Sequence, residues 1–337
     1  MDFALSAEQE QLVATVRALL ARRSDPAAVR SALALPLGYD EDLWRLLCEQ
    51  VGVAALAVPE EHDGAGATLF EALLVLEELG RTLTPSPLLS TLLATEVVLA
   101  GGTPEAQADL LPRLAAGETA CVVDLAAPHP VVDADRASLV LVLGDDGVLG
   151  VADAAACAVA WTPSMDQTLR LGTVSVPADA VRPIGRAEPA RARVAAVGTA
   201  AVAALALGCA TRGLDMTVAY SAQRVQFGRP IGSFQALKHR MADLLVRVEL
   251  ARSTSWAGSF AVARGTAEDG TPFDAHVAAS CCLEAAERVA AETVQLHGGI
   301  AITWEHDAQL VFKRAHALGH LFGTGRAHRE ALAESTA

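Results

Sequence analysis

The sequence predicts a mainly α protein with a small β insert, and three observations carry that expectation. Apolar residues recur at helical spacing from Ser6 to about Ala115 and again from about Arg191 nearly to the end. Between those stretches, short runs of Val and Leu are separated by Gly and Asp turns. Hydrophobic residues make up 52% of the 337-residue chain while aromatics are only 4%, so the core is built from Ala, Val and Leu, which suits closely packed helices.

The first helix is expected from Ser6, because Ser6 and Gln9 have the spacing of a capping box and Leu12, Val13, Val16, Leu19 and Leu20 share one face. Further helices are expected over Asp42 to Val51, over Leu69 to Thr82, and after the Pro85-Ser86-Pro87 punctuation. Pro104 to Ala115 reads as a short helix closed by Gly117. Cys121 to Leu125 and Leu139 to Leu143 read as strands. Gly144-Asp145-Asp146-Gly147 makes a hairpin of the latter with Val148 to Val151. Leu169, Leu171, Val174 and Val176 mark a further strand. This order divides the chain into an N-terminal helical domain (1–118), a reduced β domain (119–187) and a C-terminal helical bundle for oligomerisation (188–337).

Bulk properties exclude several functions. A net charge of −14 speaks against nucleic acid, whose phosphates call for a basic surface. Val194 to Ala210 is nearly free of polar groups, yet it is short and dominated by Ala and Gly, so it reads as the centre of a bundle and not a membrane span. Six scattered cysteines without Cys-x-x-Cys spacing fit reduced thiols. With no basic region leading into an apolar core at the N-terminus, a cytoplasmic location is expected.

Two C-terminal motifs carry chemistry. In Arg224-Val-Gln-Phe227-Gly228-Arg-Pro230, a helix is expected to stop at the glycine, with Pro230 preventing its continuation. An Arg in that last turn can offer planar, charge-assisted hydrogen bonds to a pyrophosphate, and Phe227 a flat face to a nucleotide. Gln295-Leu-His-Gly298-Gly299 ends a second helix on two residues without Cβ, so a ligand can approach the backbone closely.

These segments, with Gln235, the run Gln295 to Glu305 and the pair Lys313-Arg314, resemble the most diagnostic stretches of acyl-CoA dehydrogenases. The N-terminal runs Val58 to Gly66 and Leu76 to Gly80 resemble the same family's first helical domain. The resemblance implies the acyl-CoA dehydrogenase fold, FAD as cofactor, an acyl-CoA substrate and electron-transfer flavoprotein as a partner. It also implies that Arg224, Phe227, Gln235, Gln295, Gly298 and Gly299 reach across a dimer interface to the ADP end of a neighbour's FAD.

Family members usually carry the catalytic Glu in one of two places. One precedes a Gly-Thr near the C-terminus, where this chain has Phe322-Gly323-Thr324. The other falls near Gly198, in a run without a carboxylate from Val194 to Leu214. The family's flavin-ring elements Thr-Glu-Pro, Gly-Ser-Asp and Trp-x-Thr are missing; Asp124 to Pro128 stands at the first. No catalytic residue is therefore assigned to this chain. The expectation is the shorter, base-lacking subunit of an actinobacterial α2β2 enzyme whose longer homologue supplies the flavin-ring contacts and the base, with a steroid side-chain CoA thioester as the leading substrate. The rivals are a complete homomer with its base relocated to Asp215 or Glu305, and a non-enzymatic scaffold relic.

Three other features are set aside. His316 and His320 are expected on one helical face but lack further ligands, and no metal site is assigned. Cys281 and Cys282 read as core, and Glu284, Glu287 and Glu292 with Arg288 as an exposed helix face. Asp63 to Gly66 is taken as the turn after Val58-Pro59.

Overall fold

The structure, a computed structural model, describes residues 4–127, 129–265 and 270–335. Its N-terminal third is helical: α1 (Ala7–Arg23), α2 (Pro26–Leu33), α3 (Glu41–Leu46), α4 (Leu69–Thr82), α5 (Leu88–Gly101) and α6 (Pro104–Ala115). Local chemistry sets these boundaries. Ser6 and Gln9 form the expected capping box on α1, and Thr68 with Glu71 forms another on α4. Thr103 caps α6, whose first residue is proline. The segment after α3 continues as a π-helical turn, Leu47–Val51, released by Gly52 with a φ of 74°.

The β insert has two sheets. β1 (Ala120–Asp124), β3 (Leu139–Leu143), β4 (Val148–Asp153) and β7 (Arg182–Arg186) form one in the order β1-β3-β4-β7. The expected hairpin pairs Leu143 with Leu149. β2 (Val131–Val132), β6 (Leu171–Ser175) and β5 (Ala158–Thr162) form the other.

β7 runs directly into α7 (Ala187–Gln223), followed by the two-residue strands β8 (Val225–Gln226) and β9 (Arg229–Pro230). Then come α8 (Gln235–Arg264), α9 (Phe273–His297), α10 (Ala308–Leu318) and α11 (Gly325–Ser335). α7 is the hub. It is long and apolar enough to cross a membrane, but 83% of its apolar window is buried against the rest of the protein. Small residues allow that packing: a Cβ on Gly80 of α4 would lie 2.5 Å from the Leu205 carbonyl oxygen, so the two helices touch backbone to backbone. Here the low aromatic content is used, because an Ala- and Gly-lined seam has no room for rings.

Buried arginines tie the layers together. Arg314 of α10 donates to Asp166 at 2.7 Å and to Thr168, pinning the bundle to the β insert. Arg136 pairs with Asp133 at 2.6 Å and donates to the carbonyls of Leu37 and Gly38. Each charge is taken out of water, so each needs its full set of partners.

Several expectations need correction: the further strand is Leu171–Ser175, so Leu169 and Val176 lie outside it, and Cys281 is only half-buried. Glu292 is buried, not part of an exposed face, because Arg240 of α8 and Arg288 enclose its carboxylate. His320 lies beyond the end of α10, so it does not share a helical face with His316. No group of three potential metal ligands occurs among the described residues.

Candidate functional site

The first motif does not end its helix on glycine. α7 stops at Gln223, and Arg224 leaves it in an extended conformation with φ −70° and ψ 118°. Gln226 then pairs with Arg229, and Val225 with Pro230. The turn of this tight hairpin is Phe227-Gly228, with φ of 52° and 75°. The expected helical last turn is thus replaced by a hairpin, since the chain must reverse before α8 and Gly228 permits the left-handed turn. The hairpin is anchored by the Ile231 N–H donating to the Arg224 carbonyl at 2.8 Å.

The reversal leaves Arg224 exposed, with no carboxylate partner among the described residues. Phe227 is 92% exposed, its ring meeting Phe234 edge-on at 6.1 Å. Gln235 opens α8 and faces solvent.

The second motif ends α9 as expected. Gly298 adopts φ 66° and ψ −147°, a conformation open essentially to glycine alone. A Cβ at Gly298 or Gly299 would meet nothing within 4 Å, so the space in front of this turn is free for a ligand to press against the backbone. Gln295 is exposed on the same helix end.

The two motifs are joined by an aromatic stack that sequence reading missed. Tyr220, one turn before Arg224, stacks on His297 with centroids 4.3 Å apart. His306 closes the cluster 4.8 Å from His297. The His297 Nδ1–H donates to the Thr293 carbonyl at 2.7 Å. Burial holds its pKa below the ordinary histidine value against that hydrogen bond, and nearby His306 adds to the depression. A helix-terminal Tyr four residues before an Arg, and a His before Gly-Gly, were the available signals.

Beyond Gly299, the chain makes a 3-10 turn, Gly298–Ile302, and a loop to α10. Arg30 of α2 holds that loop, donating to the carbonyls of Trp304 at 3.2 Å and Glu305 at 3.1 Å and pairing with Asp307 at 2.6 Å. The first motif thus presents an exposed arginine and ring, the second an exposed carboxamide and a glycine turn, and the Tyr220–His297 stack brings the ends of the two helices together; these are the kinds of group an extended phosphate-bearing ligand requires.

A separate cavity of about 150 Å³ lies between the β insert and the start of α7. Leu93, Val122, Val194 and Ala195 line it, with Asp124 and Arg191 at its polar side. Phe322 fills one end, its ring packed on Gly198. Asp124 is locked by two hydrogen bonds from Arg191, at 2.8 and 3.1 Å. Burial raises its pKa, but the Arg191 hydrogen bond and charge and the Ala126 N–H together bring it below the usual value. A carboxylate held in its charged form this way is a poor proton acceptor. Asp215, paired with Arg81 at 2.8 Å, and Glu305 both lie outside this cavity.

Two family models match the chain. The model described as acyl-CoA dehydrogenase, N-terminal domain, matches residues 6–118, and that described as acyl-CoA dehydrogenase, C-terminal domain, matches residues 192–337. Acyl-CoA dehydrogenase IpdE2 of Mycobacterium tuberculosis is 46% identical over 321 residues, covering 95% of this chain and 94% of the relative. Among solved structures, a variant of the Tcur3481-Tcur3483 steroid ACAD superposes with a TM-score of 0.84 at 28% identity, covering 97% of each chain. The ChsE4-ChsE5 complex from Mycobacterium tuberculosis gives 0.88 at 25% identity, over 100% of this chain and 99% of that one.

Proposed function

This chain belongs to the acyl-CoA dehydrogenase family, and from that premise we propose that it is the base-lacking subunit of a heteromeric, FAD-dependent enzyme. The observation that carries the reading is the packing of Phe322 on Gly198, which fills with hydrocarbon both positions where a catalytic carboxylate is looked for. In this reading Arg224, Phe227, Gln235, Gln295, Gly298 and Gly299 serve the ADP side of a FAD whose ring and base belong to a longer homologue in an α2β2 assembly. FAD, when bound, accepts the hydride from the acyl-CoA Cβ.

The chain's own residues would act by binding. Arg224 has no counter-charge among the described residues, which would leave it to neutralise pyrophosphate. The glycine turn would let the phosphates meet backbone. Phe227, Ile300, Ile302 and Trp304 are exposed apolar groups on this side of the chain, and a partner subunit would cover them and keep water from the cofactor. A steroid CoA thioester as substrate is supported by the likeness to a steroid ACAD. Electron-transfer flavoprotein is the proposed acceptor and the cytoplasm the proposed location.

The test is co-expression. The chain alone is expected to carry little flavin, and the chain with its longer partner to yield a yellow heterotetramer that reduces dye with acyl-CoA. A stoichiometric flavin spectrum from the homomeric chain overturns the reading.

A further inference from the structure

A cavity of about 250 Å³ lies between the N-terminal helices and the β insert, and it shares no lining residue with the two motifs or with the cavity that Phe322 closes. The end of α2 and the loop after it supply one wall, with Leu33, Leu35 and Pro36. The stretch from β5 to β6 supplies the other, with Trp161, Leu169 and Arg170. The walls are locked together by the buried Arg136, which donates to the carbonyls of Leu37 and Gly38 at 2.8 Å each and pairs with Asp133. The space between them is therefore held open by the fold.

Arg170 is the one charged side chain among the described lining residues. Its guanidinium lies 4.8 Å from the centroid of the Trp161 ring and presses on the loop, since a Cβ on Gly38 would lie 2.5 Å from its Nη1. Its ion pair is with Asp135 at 2.8 Å, which balances its charge. The pair is incompletely satisfied: Arg170 Nε and Asp135 Oδ1 are both buried without a hydrogen-bond partner. A guanidinium carries five N–H donors, so most of the hydrogen-bonding capacity of Arg170 is unused.

We propose that this cavity binds a neutral two-ring ketone or alcohol, with its oxygen accepting a hydrogen bond from Arg170 and its hydrocarbon against Leu33, Leu35, Leu169 and Trp161. Size sets the number of rings. An apolar cavity of about 150 Å³ takes benzene, so one of about 250 Å³ suits two rings. Charge sets the functional group. An anion would lose its hydration without meeting a net positive charge, because Asp135 already balances Arg170. A carbonyl or hydroxyl oxygen gives the guanidinium an acceptor at a smaller desolvation cost. No lining residue belongs to the cofactor reading above, so the occupant is an additional ligand of this chain.

The test is a ligand-observed NMR titration of the full chain with 1-tetralone, with tetralin and with 1-naphthoate. Tetralin keeps the two rings and lacks the oxygen, and 1-naphthoate replaces the ketone by a carboxylate. Wild type is expected to bind 1-tetralone about tenfold more tightly than tetralin, the effect of one hydrogen bond from a charged donor. Arg170→Met should erase that difference by weakening 1-tetralone alone. Leu35→Glu, a change at an exposed rim residue that leaves Arg170 in place, should weaken both, with circular dichroism reporting that each variant is folded. If Arg170→Met fails to fold, the ratio in wild type and the Leu35→Glu protein still decide. Equal affinity for 1-tetralone and tetralin in wild type, tighter binding of 1-naphthoate than of 1-tetralone, 1-tetralone binding that Leu35→Glu leaves unchanged, or no binding at all overturns the proposal.

Discussion

The ring of Phe322 is seated on the Cα of Gly198: a Cβ on that glycine would lie 2.6 Å from Phe322 Cγ and closer still to Cδ1. Phe322 holds a left-handed φ of 54° to reach it. Two positions that lie 124 residues apart in the chain, each a place for a carboxylate in the family pattern, thus meet through an apolar contact.

That contact sets the sign of a substitution. Gly198→Ala alone should destabilise the protein by about 1–3 kcal/mol, because the added methyl has no room against the ring. In a Phe322→Ala background the same change should stabilise by about 0.5–1 kcal/mol, the ordinary gain of alanine over glycine inside a helix. Urea midpoints of the four proteins check this. Equal effects in both backgrounds would show that the ring does not press on Gly198.

No carboxylate of this chain is expected to take the substrate proton. Asp215→Asn and Glu305→Gln should each leave flavin reduction in the assembled enzyme within about tenfold, whereas losing a general base typically costs about 10²–10⁴-fold. Stopped-flow flavin reduction with FAD bound and the tetramer intact is the measurement. A thousandfold loss would place the base here.

Arg224→Ala should weaken FAD retention without unfolding the complex. A lost charge-assisted contact costs about 1.5–3 kcal/mol, or roughly ten- to a hundredfold in affinity. Flavin occupancy after dilution and gel filtration reads it. Unchanged occupancy would remove Arg224 from the phosphate site.

Docking of α11 should depend on pH. His328 of α11 and His276 of α9 face each other with Nδ1 atoms 3.0 Å apart. Burial lowers the pKa of His276, and burial together with the His276 charge lowers that of His328. Both rings are therefore neutral in the fold, while the unfolded chain takes up protons as pH falls through about 6.5. The stability from this pair is complete above that pH and is lost on going below it. Urea midpoints measured from pH 7.5 down to 5.5 should fall less steeply in His328→Gln than in wild type.

Much of the fold was legible because its signals are local. Helix α6 could be read to the residue, since Thr103, Pro104 and Gly117 mark its ends. The strand Leu139–Leu143 and its hairpin were equally plain. What escaped depends on partners distant in sequence. Glu292 looked solvated because Arg240, which encloses it, is 52 residues away. The hairpin after Arg224 was hidden because a phenylalanine with positive φ contradicts its own propensity, and only cross-strand pairing enforces it. Of the candidate site, the end of α9 on Gly298 could be read in advance from Gln295 to Gly299. The Tyr220–His297 stack and the Arg30 clamp, which set how the motif residues are held, could not.

The length of α7 has a geometric consequence. Gly198, beneath the Phe322 ring, lies inside one continuous helix, and Arg224 lies just past that helix's C-terminal end. At 1.5 Å per residue their separation along the axis is about 39 Å. A single extended cofactor cannot touch both in one protomer, so under the proposed function α7 would act as a ruler that keeps the two places on separate molecules of ligand. In the proposed assembly stoichiometry then becomes a property of one helix: a ligand gripped at Arg224 would have its far end in another chain's territory, and the count of such ligands would equal the count of neighbours able to receive them.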